Sequence, residues 1–184
     1  NIKRKNKFII PTKCPICFSR LSKDEDESVT RCTNYFGCNA QLIEKIIHFT
    51  SIKGLNIDGV GENQINLFWK YGYLRKASDI FLLDKYKVKI INLDGWGIQS
   101  YTNLIQNINK SKNVELQKFI YALGIRYVGE INAQIIANYF VTIENFLYKA
   151  KNIENLMDID GLGPKVVKSI TEFLNYKPNV NEIK

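Results

Sequence analysis

The sequence predicts a mostly α-helical fold: a small four-cysteine module followed by tandem helix-hairpin-helix repeats, four units in all. Three observations lead there. The only four cysteines, Cys14, Cys17, Cys32 and Cys38, fall in the first quarter of a 184-residue chain. A glycine-apolar-glycine turn then recurs at near-constant spacing, and amphipathic helical pattern flanks each copy. The expected boundaries are an entry segment at 1–11, the cysteine module at 12–40, the helical domain at 41–176 and a tail at 177–184.

Composition narrows the classes. At 45% apolar and 24% charged residues the chain has a globular composition. No apolar run approaches the ~18 residues of a membrane span, and the first twenty residues alternate Lys and Arg with single apolar positions, unlike a signal peptide. With 26 Lys and Arg against 18 Asp and Glu the net charge is +8, which favours polyanionic partners. Richness in Lys, Ile and Asn also follows from A+T-rich coding, so charge alone does not decide. The excess is concentrated at the cysteine end, where residues 1–53 hold ten basic against five acidic side chains.

The cysteine spacing is C-x2-C-x14-C-x5-C. A two-residue gap lets both thiolates of the first pair face one ion from a tight turn, and the second pair closes a wider loop on it, giving S4 coordination suited to Zn(II). A closed four-thiolate site leaves no position for an activated water, so the metal is expected to be structural. A redox Cys14-Pro-Ile-Cys17 pair is the rival, but a βαβ context is missing. The acidic run Asp24-Glu25-Asp26-Glu27 reads as a solvated loop. His48, ten residues past Cys38, reads as a packed or half-exposed helix residue more simply than as a fifth ligand.

The turns are Ile57-Asp58-Gly59-Val60-Gly61, Leu93-Asp94-Gly95-Trp96-Gly97, Ile125-Arg126-Tyr127-Val128-Gly129 and Ile159-Asp160-Gly161-Leu162-Gly163. Their last glycines are 36, 32 and 34 residues apart. Helical pattern follows at 62–71, 98–108, 130–139 and 164–174 and precedes at 41–49, 77–83, 116–123 and 143–149, with Pro164 suited to a first turn. The segment Lys85–Ile91 reads as irregular or extended. Two glycines permit positive φ and close approach of another backbone. The turn amides and the free N–H groups of the next helix then face outward together with the helix dipole behind them, a cradle for an anion.

Main-chain amides do not read bases, so such a contact would fix position on a nucleic-acid backbone without specifying sequence. The candidate contacts are Gly59, Gly61, Gly95, Gly97, Gly129, Gly161 and Gly163, with Arg126, Lys165 and Lys168 adding charge. The second copy, with bulky Trp96, is the one best explained by packing alone. No dinucleotide-binding G-x-G-x-x-G pattern follows a strand.

Taken together, the cysteine spacing, the His48-Phe49-Thr50-Ser51 segment, the first hairpin through Glu62, and Phe119-Ile-Tyr-Ala-Leu-Gly-Ile-Arg-Tyr-Val-Gly-Glu130 resemble the C-terminal half of bacterial NAD-dependent DNA ligases over residues 8–175. In that family the third hairpin reads L-G-I-R-x-V-G-E. The resemblance implies a parent enzyme that moves AMP from NAD to a lysine of a K-x-D-G motif, then to a nick 5′-phosphate, and seals the nick in replication and repair.

This chain contains no K-x-D-G. NAD and Mg(2+) would serve a catalytic part not contained in it, residues 1–11 would end an OB-fold, and 177–184 would lead toward a further domain. The chain, which opens on Asn1, is expected to be a catalytically inactive piece of a cytoplasmic bacterial protein. It is read as a monomer that holds nicked duplex DNA without sequence preference. The alternatives are a free-standing helix-hairpin-helix repair accessory and a protein-interaction scaffold. A nuclease is disfavoured because Asp58, Asp94 and Asp160 occur one per repeat, as turn residues do.

Overall fold

The computed structural model describes residues 11–23 and 28–184. The acidic run at 24–27, the basic Lys3, Arg4, Lys5 and Lys7, and the segment expected to end an OB-fold up to residue 10 lie outside the described residues. Two compact units divide the chain at 44/45, a few residues beyond the expected boundary. The division falls inside α1 (Asn39–Thr50), which starts immediately after the last cysteine.

The first unit is a small ribbon. Strand β1 (Leu21–Ser22) pairs antiparallel with β2 (Arg31–Cys32), Leu21 opposite Cys32, and Lys13 forms a bridge with Arg20 on the other side. So little strand has few cross-strand contacts of its own. Its tertiary anchor is the cysteine cluster, with Cys14 and Cys38 buried.

The second unit is helical. In order it contains α2 (Glu62–Lys70), the 3₁₀ segment Ala77–Tyr86, α3 (Lys87–Ile91), α4 (Ile98–Lys110), α5 (Leu116–Ala122) and α6 (Glu130–Phe140). After these come α7 (Ile143–Lys149), α8 (Glu154–Met157), α9 (Pro164–Asn175) and α10 (Lys177–Ile183). The helices after the four turns match the periodicity to within two residues.

Two expectations need correction. Lys85–Ile91 is helical throughout its length, 3₁₀ to Tyr86 and α from Lys87. Its alternating Lys and apolar residues mimic a strand, but the period is overridden by tertiary packing: Ile90 is fully buried and the Tyr86 ring stacks on Tyr73 at 4.6 Å. The 177–184 tail is a packed helix. Val180 is buried in it, and the Glu182 carboxylate accepts a hydrogen bond from the Ser78 amide at 3.0 Å, across 104 residues.

The core follows the hairpins. Their apolar fourth positions Val60, Val128 and Leu162 are buried, while Trp96 is half-buried with its ring 5.3 Å from Phe68. In the second half Ile120, Ala133, Ile136, Phe140, Phe146 and Ile170 form one continuous cluster with Val128 and Leu162. Each turn is thus pinned from beneath by its own side chain, which leaves the backbone above it at the surface.

Candidate metal centre and nucleic-acid interface

The first knuckle is made by a tight turn in which the Phe18 amide donates to the Cys14 carbonyl at 2.9 Å and the Cys14 amide to that of Ser19 at 2.8 Å. Phe18 takes a positive φ of 58° to close it. In the second, the Cys38 amide donates to the Asn34 carbonyl at 3.1 Å, and the Asn34 amide points at Cys32 Sγ at 3.4 Å. Gln41 Nε2 ties α1 to the same loop through the Cys32 carbonyl at 3.1 Å.

All four sulfurs lie within 4.8 Å of one another. Cys14 and Cys38 are 3.9 Å apart and Cys17 and Cys32 3.5 Å, too far for disulfides, whose S–S bond is about 2.0 Å. A tetrahedron with Zn–S bonds of ~2.3 Å has edges of about 3.8 Å. The donor set and its spacing therefore fit a structural zinc.

The thiols are not equivalent. Hydrogen bonds from Ser19, side chain and backbone, pull Cys17 down to about 6. Cys32 stands at about 11: the Asn34 amide lowers it, but burial and the neighbouring Cys17 and Cys14 outweigh that amide. One thiolate in the cluster thus discourages the next, and a divalent cation removes this frustration by stabilising them all.

At the hairpins the same backbone conformation recurs at four places. The third residue of each turn has positive φ: Gly59 at 85°, Gly95 at 74°, Tyr127 at 63° and Gly161 at 88°. The fifth, Gly61, Gly97, Gly129 or Gly163, is extended and caps the N-terminus of α2, α4, α6 or α9. Tyr127 replaces glycine without altering the bend, its carbonyl held by Asn132 Nδ2 at 2.8 Å and its ring covered by the Arg126 guanidinium at 4.8 Å.

The cap glycines Gly61, Gly129 and Gly163 are exposed and Gly97 half-exposed. A side-chain carbon added at Gly97, Gly129 or Gly163 would meet nothing within 4 Å, so open space stands before the first-turn amides. A phosphate approaching from that side meets N–H groups and the positive helix end. Lys165 and Lys168 lie exposed on α9, with Lys168 Nζ 3.9 Å from Glu172. Asp58, Asp94 and Asp160 each occupy the second turn position and are exposed.

The second hairpin differs from the rest. The Gly97 amide donates to Ser100 Oγ at 2.9 Å, and the same hydroxyl donates back to the Gly97 carbonyl at 3.0 Å. Its cradle is partly satisfied from within, in line with the packing role its tryptophan suggests.

Sequence reasoning left His48 without a role. Its Nε2 meets the Tyr121 carbonyl at 2.8 Å, and its ring lies against Tyr121 and Gly124. Thr50 and Ser51 cap the end of α1, and Ser51 Oγ accepts from the Gly54 amide at 3.2 Å. Gly54 is required there, because a side-chain carbon would stand 2.6 Å from the Phe49 carbonyl oxygen. The His48–Ser51 segment is therefore the joint that fixes the first hairpin to α5, the helix entering the third.

Residues 13–40 match the NAD-dependent DNA ligase C4 zinc finger domain, and residues 118–183 match the helix-hairpin-helix motif. The chain is 40% identical to a DNA ligase of Orientia tsutsugamushi (strain Ikeda), covering 96% of this chain and 27% of the relative. It is 42% identical to one of Pelagibacter ubique (strain HTCC1062), over 95% and 27%, and 35% identical to one of Neorickettsia sennetsu, over 97% and 28%. It thus spans little more than a quarter of their length. Four convergent thiols thus fall within the stretch that matches a C4 zinc finger, amide-presenting hairpins follow in the helical region, and along nearly its whole length the chain is similar to part of these DNA ligases.

Proposed function

We propose that this chain is the duplex-gripping part of an NAD-dependent DNA ligase, holding sugar-phosphate backbone without sequence preference while a catalytic part of the parent seals the nick. The observation that carries the reading is the recurring turn. It has a positive-φ bend, a buried apolar anchor and an exposed cap glycine with room for an anion before three of its four copies. Gly59, Gly61, Gly95, Gly97, Gly129, Gly161 and Gly163 form the candidate contact surface, the second hairpin weakest. Arg126, Lys165 and Lys168 supply positive charge around the third and fourth.

Cys14, Cys17, Cys32 and Cys38 hold zinc as a fold-stabilising ion. NAD and Mg(2+) act in the parent's nucleotidyl-transfer chemistry, since no lysine here stands in a K-x-D-G setting. The chain works as a monomer in the cytoplasm.

The test is a salt titration of binding to nicked and intact duplexes of unrelated sequence. Several phosphate contacts predict a log–log slope of about −3 to −4, or roughly a hundredfold loss between 50 and 200 mM salt. Affinity should not vary with sequence. Absence of binding at 50 mM salt, or a flat salt response, would overturn the proposal and favour a protein-interaction scaffold.

A further inference from the structure

The third hairpin contains an electrostatic contradiction. Glu130 is the first residue of α6 and directly follows Gly129, so its charge belongs to the same first turn whose amides would form the proposed phosphate cradle. A negative charge there suits the helix dipole but repels an incoming phosphate. The contradiction is resolved by a residue from elsewhere in the chain: Lys53 Nζ lies 2.6 Å from Glu130 Oε1.

Lys53 is delivered by the stiff turn that closes α1. Within it the Leu55 amide donates to the Phe49 carbonyl at 2.9 Å, that of Asn56 to Ser51 at 2.8 Å and that of Ile57 to Thr50 at 3.0 Å. The buried Gly54 beside it admits no side chain. Both partners are largely in solvent, 63% and 53% exposed. A pair so placed contributes little to folding, so its main consequence is local charge. The bond and charge of Glu130 raise the Lys53 ammonium above its ordinary range.

We propose that Lys53 is a positioning residue for DNA binding: it neutralises and holds Glu130, so that the third hairpin can accept a phosphate its own first-turn carboxylate would otherwise repel. The inference rests on the duplex-binding reading above. It also separates Lys53 from an ordinary phosphate-contacting lysine, because its effect is routed through one carboxylate and disappears with it.

The experiment is a double-mutant cycle on the 184-residue chain, read by fluorescence anisotropy with a nicked duplex at 50 mM salt and accompanied by thermal melts. Lys53→Ala should weaken binding about three- to fivefold, the size of an unscreened unit-charge repulsion at the surface, with an unchanged melting midpoint. Glu130→Gln should bind at least as tightly as the unaltered chain. The double variant should return to within twofold of Glu130→Gln. A double variant as weak as Lys53→Ala would mean direct contact and overturn the proposal, as would a Lys53→Ala chain of undiminished affinity. Gly129→Asp separates the two readings: if it weakens binding while Lys53→Ala does not, only this inference falls, whereas no binding by the unaltered chain removes the duplex reading itself.

Discussion

Gly161 and Gly163 stand two residues apart and resist substitution for different reasons. At Gly161 the constraint is conformational: φ is 88°, and an added side-chain carbon would also meet Ile135 Cδ1 at 3.0 Å. An L-residue there costs about 1–2 kcal/mol. At Gly163 φ is −73° and ψ 158°, ordinary extended backbone, and the space ahead is empty. Folding alone would accept a better cap, since Asp at an N-cap position is favoured over Gly by a few tenths of a kcal/mol. Gly163→Asp is therefore expected to keep or slightly raise the melting temperature while cutting duplex affinity by about tenfold, because its carboxylate would occupy the amide cradle. Paired melting and binding curves check this, and equal affinity would show that the fourth hairpin is only a packing device. The thiol ligands and hairpin glycines were legible in the sequence because fixed local spacing defines them. Ser100 and Asn132 were not singled out, although both hold the third position of the helix after a hairpin, where a polar side chain can reach back to the turn.

At the scale of elements, the helices that follow glycine turns were legible and those set by tertiary packing were not. Lys85–Ile91 alternates like a strand, and the helix at 177–183 lacks a turn signal beyond Pro178. Both are fixed by distant partners: Tyr86 by Tyr73, Glu182 by Ser78. Lys45 joins the second contact. Burial lowers its pKa and the nearby Glu182 charge opposes that shift.

The 3₁₀ segment is tied to α4 by a hydrogen bond from the Tyr101 hydroxyl to Asp84 Oδ1. Burial, then that bond and the Asp84 charge, push Tyr101 up to about 12. A phenol raised in the fold contributes stability that is fully present below its unfolded value of about 10 and is lost as pH climbs through about 12. Tyr101→Phe should cost about 1 kcal/mol at neutral pH and flatten the alkaline decline between these limits. Urea denaturation at pH 8, 10 and 11.5 measures both effects, and parallel losses in the two chains would remove Tyr101 from the account.

For the whole molecule the decisive feature is that the two units draw on different sources of stability. The helical unit buries its own aliphatic and aromatic core: Ile65, Phe68, Leu74 and Ile80 in its first half, the Ile120–Ile170 cluster in its second. Among the described residues the ribbon unit has two short strands and a handful of turns around four sulfurs. Small metal-held modules of this kind derive on the order of 10 kcal/mol from Zn(II) and lose their fold without it. Chelation should therefore divide the chain. Amide exchange between residues 11 and 44 is expected to become fast after treatment with a strong chelator, while the helical circular-dichroism signal and the main melting transition, which belong to 45–184, persist. If the hairpins alone grip the duplex, the chelated chain also retains most of its affinity, with the salt slope changed by less than about one. Collapse of both units together would mean that the ion supports the helical core as well. Survival of the ribbon without metal would mean that hydrogen bonds at its two knuckles suffice, and would leave the four thiols without a structural need for an ion.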